Sequence, residues 1–314
     1  MSVGATTRKR IWVDLLVYPA HTLPTAAAPV LVGAALAAHD GVFAPAPVAI
    51  AFLGSWLIHI AGVFTDNHEL LRRHPQVVEH ADLTNALRGG TLTLNQIKGA
   101  IAACLLLVVP AAVCFWLVGG IAALVIGLIG VVASLGYAGG PFPYAKLGFA
   151  EPIFFAMFGV VAVAGTYFAQ IAWLAAMASL PTPGLATLAP AAFFVGLPVG
   201  ALVTNVLLID DMRDRQFDAI KGWRTVAVRF GPAGSRFAYC GLSALAYLAP
   251  FALWILAGFG AWILLPLATF PWAILIARIV LTRDEAADLA PMTAKASMLS
   301  CAYAMLLSVG IVAG

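Results

Sequence analysis

Nine apolar stretches, at 23–38, 47–64, 99–118, 121–136, 151–177, 188–209, 237–256, 261–280 and 292–312, are separated by polar connections. Each approaches the roughly 20 residues that a helix needs to cross a bilayer core about 30 Å thick. In lipid no backbone N–H or C=O can be left unpaired, so stretches of this kind must be helical. The pattern predicts an all-α polytopic membrane protein with nine transmembrane helices. Two polar segments, 65–98 and 210–236, are longer than a connection requires. Each follows an even-numbered helix, so both lie on one face, as a cytoplasmic polar cap over a central cavity.

Composition fits this picture. Of 314 residues, 62% are hydrophobic and 10% charged. A mean hydropathy of +0.98 sets aside the two soluble domains that the length would otherwise suggest. With Arg8, Lys9 and Arg10 in the cytoplasm and the chain alternating, all 17 Lys and Arg fall on the cytoplasmic side or at its helix ends. The opposite connections, around 39–46, 119–120, 178–187 and 257–260, carry no base, and Asp40 is their only charge. This positive-inside pattern supports nine crossings, because one helix more or fewer would scatter the bases over both faces. The expected location is a bacterial-type inner (plasma) membrane, with the N-terminus cytoplasmic and the C-terminus on the opposite side. A cleaved signal peptide also puts bases before an apolar run, but here the run is long and Ala44-Pro45-Ala46 is a poor cleavage context. The net charge of +3 then serves orientation and anionic membrane lipids, not nucleic acid. Cys104, Cys114, Cys240 and Cys301 lack metal-ligand spacing and read as small packing residues.

The two long polar segments share an order of charges. Asp66 and Glu69 open the first, and Asp210, Asp211, Asp214 and Asp218 open the second. Bases follow: Arg72, Arg73 and Arg88 in one, Lys221, Arg224 and Arg229 in the other. This order suggests two related halves, about 19–140 and 141–260, plus a final helix pair, within a single domain spanning 1–314. A third cytoplasmic segment, 137–150, is set by Gly139-Gly140-Pro141 and Pro143 and carries Tyr137, Phe142, Tyr144 and Lys146.

Asp210, Asp214 and Asp218 are four apart and would share one face of a helix continuing past Ile209. Like charges so placed destabilise a helix by about 0.3 kcal/mol per pair, and a bound cation reverses the sign. Mg²⁺ takes one or two carboxylates, keeps waters and bridges phosphate oxygens. The expected metal set is therefore Asp66, Glu69, Asp210, Asp211, Asp214 and Asp218, with Asp82 a further candidate. Arg offers phosphate a planar fork and Lys a point charge. That nominates Arg88, Lys221, Arg224 and Arg229 as diphosphate contacts, with structural pairing the alternative for each. A diphosphate at the membrane surface with a long apolar cavity behind it points to an isoprenoid diphosphate. Metal and bases would stabilise the leaving diphosphate. Aromatic faces would shelter the allylic cation, and water must be excluded.

On these residues the chain resembles the UbiA superfamily of intramembrane prenyltransferases over nearly its whole length. Asp214-Arg215-Gln216-Phe217-Asp218, then Lys221-Gly222-Trp223-Arg224-Thr225 and Ala227-Val228-Arg229-Phe230-Gly231, resembles the family's second motif and its continuation. Tyr18-Pro19, Leu23-Pro24 and Gly33 resemble its first helix. Gly139-Gly140-Pro141 to Tyr144, Gly148 and Glu151, with Leu87-Arg88-Gly89-Gly90, most resemble the branch that prenylates 1,4-dihydroxy-2-naphthoate, the menaquinone precursor.

The likeness implies nine helices, two Asp-rich motifs after helices two and six, and Mg²⁺-dependent binding of a polyprenyl diphosphate. It also implies transfer to a small aromatic acceptor. Asp66, Glu69, Asp214 and Asp218 would be central to catalysis, and Lys146, Tyr144 and Glu151 would lie near the acceptor. Asp82, Glu69 or His59 would take the final proton. The first motif here reads Thr65-Asp66-Asn67-His68-Glu69, where the family usually opens Asn-Asp and has a further Asp. Asp210-Asp211 stand where the branch has paired Asn. A terpene cyclase on the same scaffold and a lipid carrier are the rival classes. Nothing in the sequence sets the oligomeric state.

Overall fold

The computed structural model describes residues 23–75 and 81–314, the side chains of 81–84 excepted, and every regular element among them is helical. Arg8, Lys9, Arg10, Tyr18, Pro19 and His80 lie outside the described residues, as does the side chain of Asp82. The helices are α1 (Leu23–His39), α2 (Pro45–Arg73), α3 (Ala81–Arg88), α4 (Leu94–Gly136), α5 (Tyr144–Leu147), α6 (Ala150–Met177), α7 (Ala191–Arg213), α8 (Arg215–Lys221), α9 (Val226–Leu256), α10 (Ala261–Thr282) and α11 (Ala286–Ala313). Among the described residues seven of them, α2, α4, α6, α7, α9, α10 and α11, are long and apolar enough to cross a membrane, and α1 is a shorter apolar helix. The chain is an integral membrane protein of the all-α class.

At 1.5 Å per residue, the 43 residues of α4 would extend about twice the bilayer core. They do not run straight. Gly120 has φ 59° and ψ −148°, a conformation that a side chain would forbid. Ile97 and Cys104 before it and Leu135 after it share one cluster with Ala61 and Phe64 of α2. The chain therefore turns back at Gly120, and α4 contains both expected stretches, 99–118 and 121–136.

Two helices outrun their apolar stretches: α2 continues to Arg73 and α7 to Arg213. Asp66, Glu69, Asp210 and Asp211 thus stand on helical turns, where the backbone is satisfied internally, and not in loops. The expectation of one continuous helix through Asp218 is corrected. Asp214 (φ −97°, ψ 9°) is the junction between α7 and the separate short helix α8.

The apolar part of α7 is mostly buried, whereas little of α4's is. In lipid, apolar burial gives helices little reason to associate, so close contact between small residues takes over. A Cβ on Gly200 of α7 would lie 2.6 Å from the Gly159 Cα of α6, and one on Gly196 would lie 2.3 Å from the Gly159 carbonyl oxygen. At this crossing α6 widens into a π turn, Met157–Val161. The main core then gathers α1, α6, α7, α9, α10 and α11 around Leu36, Phe168, Leu202, Tyr247, Ile263 and Tyr303. The α1–α2 connection is tied to α6, where the Tyr167 hydroxyl donates to Asp40 at 2.5 Å and Gln170 accepts the Ala44 N–H at 2.7 Å.

Candidate active site

The far ends of α2 and α7 meet over one cavity of about 680 Å³. Asp66 and Asn67 of α2, Asp210, Asp211 and Arg213 of α7, the junction Asp214, Asp218 and Lys221 of α8, and Trp223 line its polar end. Beyond them the wall is largely apolar, with Ile50, Val108, Phe115, Leu124 and Phe168 among its residues. The two acidic segments, far apart in sequence, face a common space.

The segment between α4 and α6 closes this end. A Cβ on Gly139 would fall 2.8 Å from the Thr65 side chain. The Arg224 N–H donates to the Ala145 carbonyl at 3.2 Å, and Glu151 accepts the Val226 N–H, the first residue of α9, at 2.5 Å. Gly148 takes φ +83° with the Arg224 carbonyl and the Arg229 guanidinium against it, so a side chain there would be both strained and crowded. Residues 137–151 are thereby strapped to the continuation of the second motif. The Tyr137 ring meets Tyr144, Phe154 and Trp223 edge-on, with centroids at 5.6, 5.8 and 5.2 Å. Burial first, then Asp211, Asp66 and Asp218 around it, push the Tyr137 phenol well above its ordinary pKa. It is therefore a neutral hydrogen-bond donor beside the carboxylates, not a base.

The carboxylates differ sharply in their partners. Asp218 Oδ1 lies 2.8 Å from Lys221 Nζ, both side chains only 3% exposed, and that ammonium sits 4.0 Å from the Trp223 ring centroid. Arg213 grips Asp214 through Nε, at 2.9 Å, and through Nη2. Its Nη1 lies 2.5 Å from Asp210. Glu69 is held by Arg72 and Arg73, each at 2.6 Å. Asp211 is different: it is 3% exposed, and its Oδ2 meets no hydrogen-bond donor among the described residues. A buried carboxylate oxygen without a donor is costly unless a cation completes it.

That oxygen, in a wall of further carboxylates, fits a divalent cation. Among the described residues no three His, Cys, Asp or Glu side chains gather tightly enough to enclose an ion by themselves. Mg²⁺ does not require this, since it commonly takes one or two protein carboxylates and completes its shell with water and substrate phosphate.

Of the residues singled out in the sequence, Asp66, Asp210, Asp211, Asp214, Asp218, Lys221, Tyr144 and His59 line the cavity, whereas Glu69, Glu151, Arg88, Lys146, Arg224 and Arg229 do not. Arg88 donates to the Pro75 carbonyl at 3.2 Å, and Lys146 is exposed on α5. His59 approaches Phe158, with ring centroids 6.5 Å apart. Arg213, which the sequence offers with Arg215 and Lys221 as an ordinary pairing partner for the aspartates, takes that part for Asp210 and Asp214. Sequence reasoning missed Phe154, Phe158 and Thr293. Phe154 and Phe158 look like any lipid-facing aromatics. Thr293, on α11, donates to Asp210 at 2.8 Å, and nothing in the sequence marks it.

An all-helical membrane fold with two acidic helix ends over an elongated apolar cavity defines an intramembrane enzyme for amphipathic substrates. The chain belongs to the UbiA prenyltransferase family, matched over residues 26–300, and is a prenyltransferase. It is 31% identical over 236 residues, 72% of each chain, to the 1,4-dihydroxy-2-naphthoate octaprenyltransferase of Mycobacterium tuberculosis. Its identity to the enzyme of that name from Escherichia coli is 26% over 242 residues, covering 75% of this chain and 73% of the relative. These relatives bear out the resemblance to the dihydroxynaphthoate branch as well as to the superfamily. The fold matches that of a UbiA homolog from Aeropyrum pernix K1 in its apo form (TM-score 0.63, 17% identity, 92% of this chain and 97% of that one). It also matches a UbiA homolog from Archaeoglobus fulgidus bound to DMAPP and Mg²⁺ (TM-score 0.52, 18% identity, 93% and 99%).

Proposed function

We propose that this chain transfers a polyprenyl group from an isoprenoid diphosphate to a small aromatic acceptor, a quinone precursor such as dihydroxynaphthoate, and that it requires Mg²⁺. One observation carries the reading. Carboxylates from two separate parts of the chain, with Lys221, converge on one end of a cavity whose remaining length is apolar. That polarity suits a diphosphate head with a long hydrocarbon tail. The names of the relatives and the ligands of the Archaeoglobus homolog support the same substrate class.

Asp66, Asp211, Asp214 and Asp218 would hold the metal, with Arg213 beside Asp214 and Lys221 beside Asp218 as counter-ions. Of the others expected in this set, Glu69 lies off the cavity wall and Asp210 is engaged by both Arg213 and Thr293. When bound, Mg²⁺ would neutralise the diphosphate and stabilise it as a leaving group. Lys221 brings a buried cation to the same end. Tyr137 can donate a hydrogen bond there while staying neutral. The rings of Tyr137, Tyr144, Phe154 and Trp223 stand where an allylic cation would form, and ring faces stabilise cations. Apolar walls keep out the water that would trap it. Of the candidate bases whose side chains are described, His59 lines the cavity and Glu69 does not.

The proposed topology takes α1, the two arms of α4 and the six other long helices as nine crossings, with the acidic end and the N-terminus cytoplasmic and two related halves in one domain; the seven long apolar helices and the shorter apolar α1 support it. The purified protein, given Mg²⁺, a series of prenyl diphosphates and a panel of aromatic acids, should yield a prenylated acceptor by mass spectrometry, and none with EDTA. A cyclised hydrocarbon formed without acceptor would favour the cyclase, and no turnover in any combination would favour a carrier.

A further inference from the structure

We propose that Thr293 is a positioning residue for this site, fixing an Asp210–Arg213 pair that in turn sets Asp214, so that Asp210 serves as a hydrogen-bond acceptor for Thr293 and Arg213 and not as a metal ligand. The inference rests on the metal-dependent reading above.

A threonine hydroxyl has one proton to give and can accept in return, and Thr293 does both. It donates to Asp210 Oδ1 at 2.8 Å and receives Arg213 Nη1 at 3.5 Å. Those two groups are themselves 2.5 Å apart, so the hydroxyl closes a three-membered polar ring between α11 and α7. Thr293 is 5% exposed, and it reaches the site from α11. The remaining edge of the Arg213 guanidinium, Nε and Nη2, takes both oxygens of Asp214. Such a fork is planar and stiff. Whatever fixes one edge of the guanidinium therefore fixes the plane of the carboxylate on the other. Thr293 and Asp210 hold the back edge, and Asp214 is aimed from the front.

Consecutive helical residues point about 100° apart, and Asp210 and Asp211, although both line the cavity, meet different partners. Asp210 is engaged by α11 and Arg213. Asp211, its neighbour, keeps a buried oxygen without a donor on the cavity wall. The doubled aspartate thus divides into a buttress and a candidate ligand. An Asn at 210 could accept from Thr293 and Arg213 through its amide oxygen and would keep the ring.

The full-length protein in lipid nanodiscs can be titrated with Mn²⁺ in the presence of unreactive geranylgeranyl thiolodiphosphate, with free Mn²⁺ followed by electron paramagnetic resonance. Groups that orient metal ligands typically contribute about 10-fold or more to affinity. Thr293→Val should raise the half-saturating Mn²⁺ concentration about 10-fold, and Thr293→Ser should restore it. Asp210→Asn should stay close to wild type, whereas Asp211→Asn should abolish uptake. In transfer assays the Thr293→Val defect should appear in the Mg²⁺ requirement more than in kcat at saturating metal. Wild-type affinity in Thr293→Val, or no rescue by Ser, overturns the inference, as does Asp210→Asn failing as completely as Asp211→Asn. If Thr293→Val does not fold, the Thr293→Ser and Asp210→Asn titrations decide. A wild-type protein that takes up no Mn²⁺ would overturn the metal-dependent reading itself, and the inference with it.

Discussion

Asp211 and Asp218 are equally buried, yet they prepare the site in different ways. Asp218 is neutralised in place by Lys221, while Asp211 carries an oxygen that protein donors leave unserved. Replacing Asp211 by Asn should cut transfer at least about 100-fold, in line with loss of one well-placed electrostatic group. Its thermal midpoint, measured without divalent cation, should be unchanged or raised, because Asn keeps the shape of this buried group and needs no charge there. A midpoint that collapses along with activity would mean that Asp211 is structural. Lys221→Met should do the opposite in the same medium. Removing one partner of a buried pair costs about 3 kcal/mol, so the melting temperature should drop by several degrees. The double change Lys221→Met with Asp218→Leu should recover it without recovering activity. At this scale the acidic residues and Lys221 were legible in the sequence, since charge beside lipid is too costly to be incidental. Thr293 was not, because a hydroxyl on an apolar helix gains its meaning only from what faces it.

Each apolar stretch in the described residues became part of a helix, and Gly119-Gly120 already marked the fold-back within α4. Helix ends were less legible. Hydropathy stops at the first charge, but α2 and α7 keep their hydrogen-bonded ladders until the acidic groups stand over the cavity. The break at Asp214 also escaped the pattern, since four-residue spacing reads the same whether or not the helix is continuous. What positions α7 is its contact with α6 through Gly159, Gly196 and Gly200. Gly200→Val should therefore force the two helices apart, costing about 2 kcal/mol as overpacking. Because Asp210, Asp211 and Asp214 ride on α7, activity should fall too, although Gly200 touches no substrate-facing group. Thermal unfolding and product formation measure the two effects. A fully active, equally stable Gly200→Val protein would contradict this account of the crossing.

For the whole molecule, the proposed topology makes a claim about sides. In a protein whose four cysteines are replaced, Ala257→Cys, at the exposed end of α9, should react with a membrane-impermeant maleimide in intact cells. Glu285→Cys, between α10 and α11, should react only after the membrane is opened. The reverse pattern would invert the orientation, and equal labelling would break the count of nine crossings. The sequence by itself determined the helical class, the membrane location, the charge asymmetry and the two acidic motifs. These follow from local rules: backbone groups need partners in lipid, and charges avoid hydrocarbon. Only the tertiary structure decided which carboxylates face the cavity, which basic or hydroxyl groups meet each of them, and that residues 137–151 strap onto the second motif. It alone brought α11 to the site. Those outcomes depend on which side chains meet across helices, and no spacing along one chain encodes that meeting.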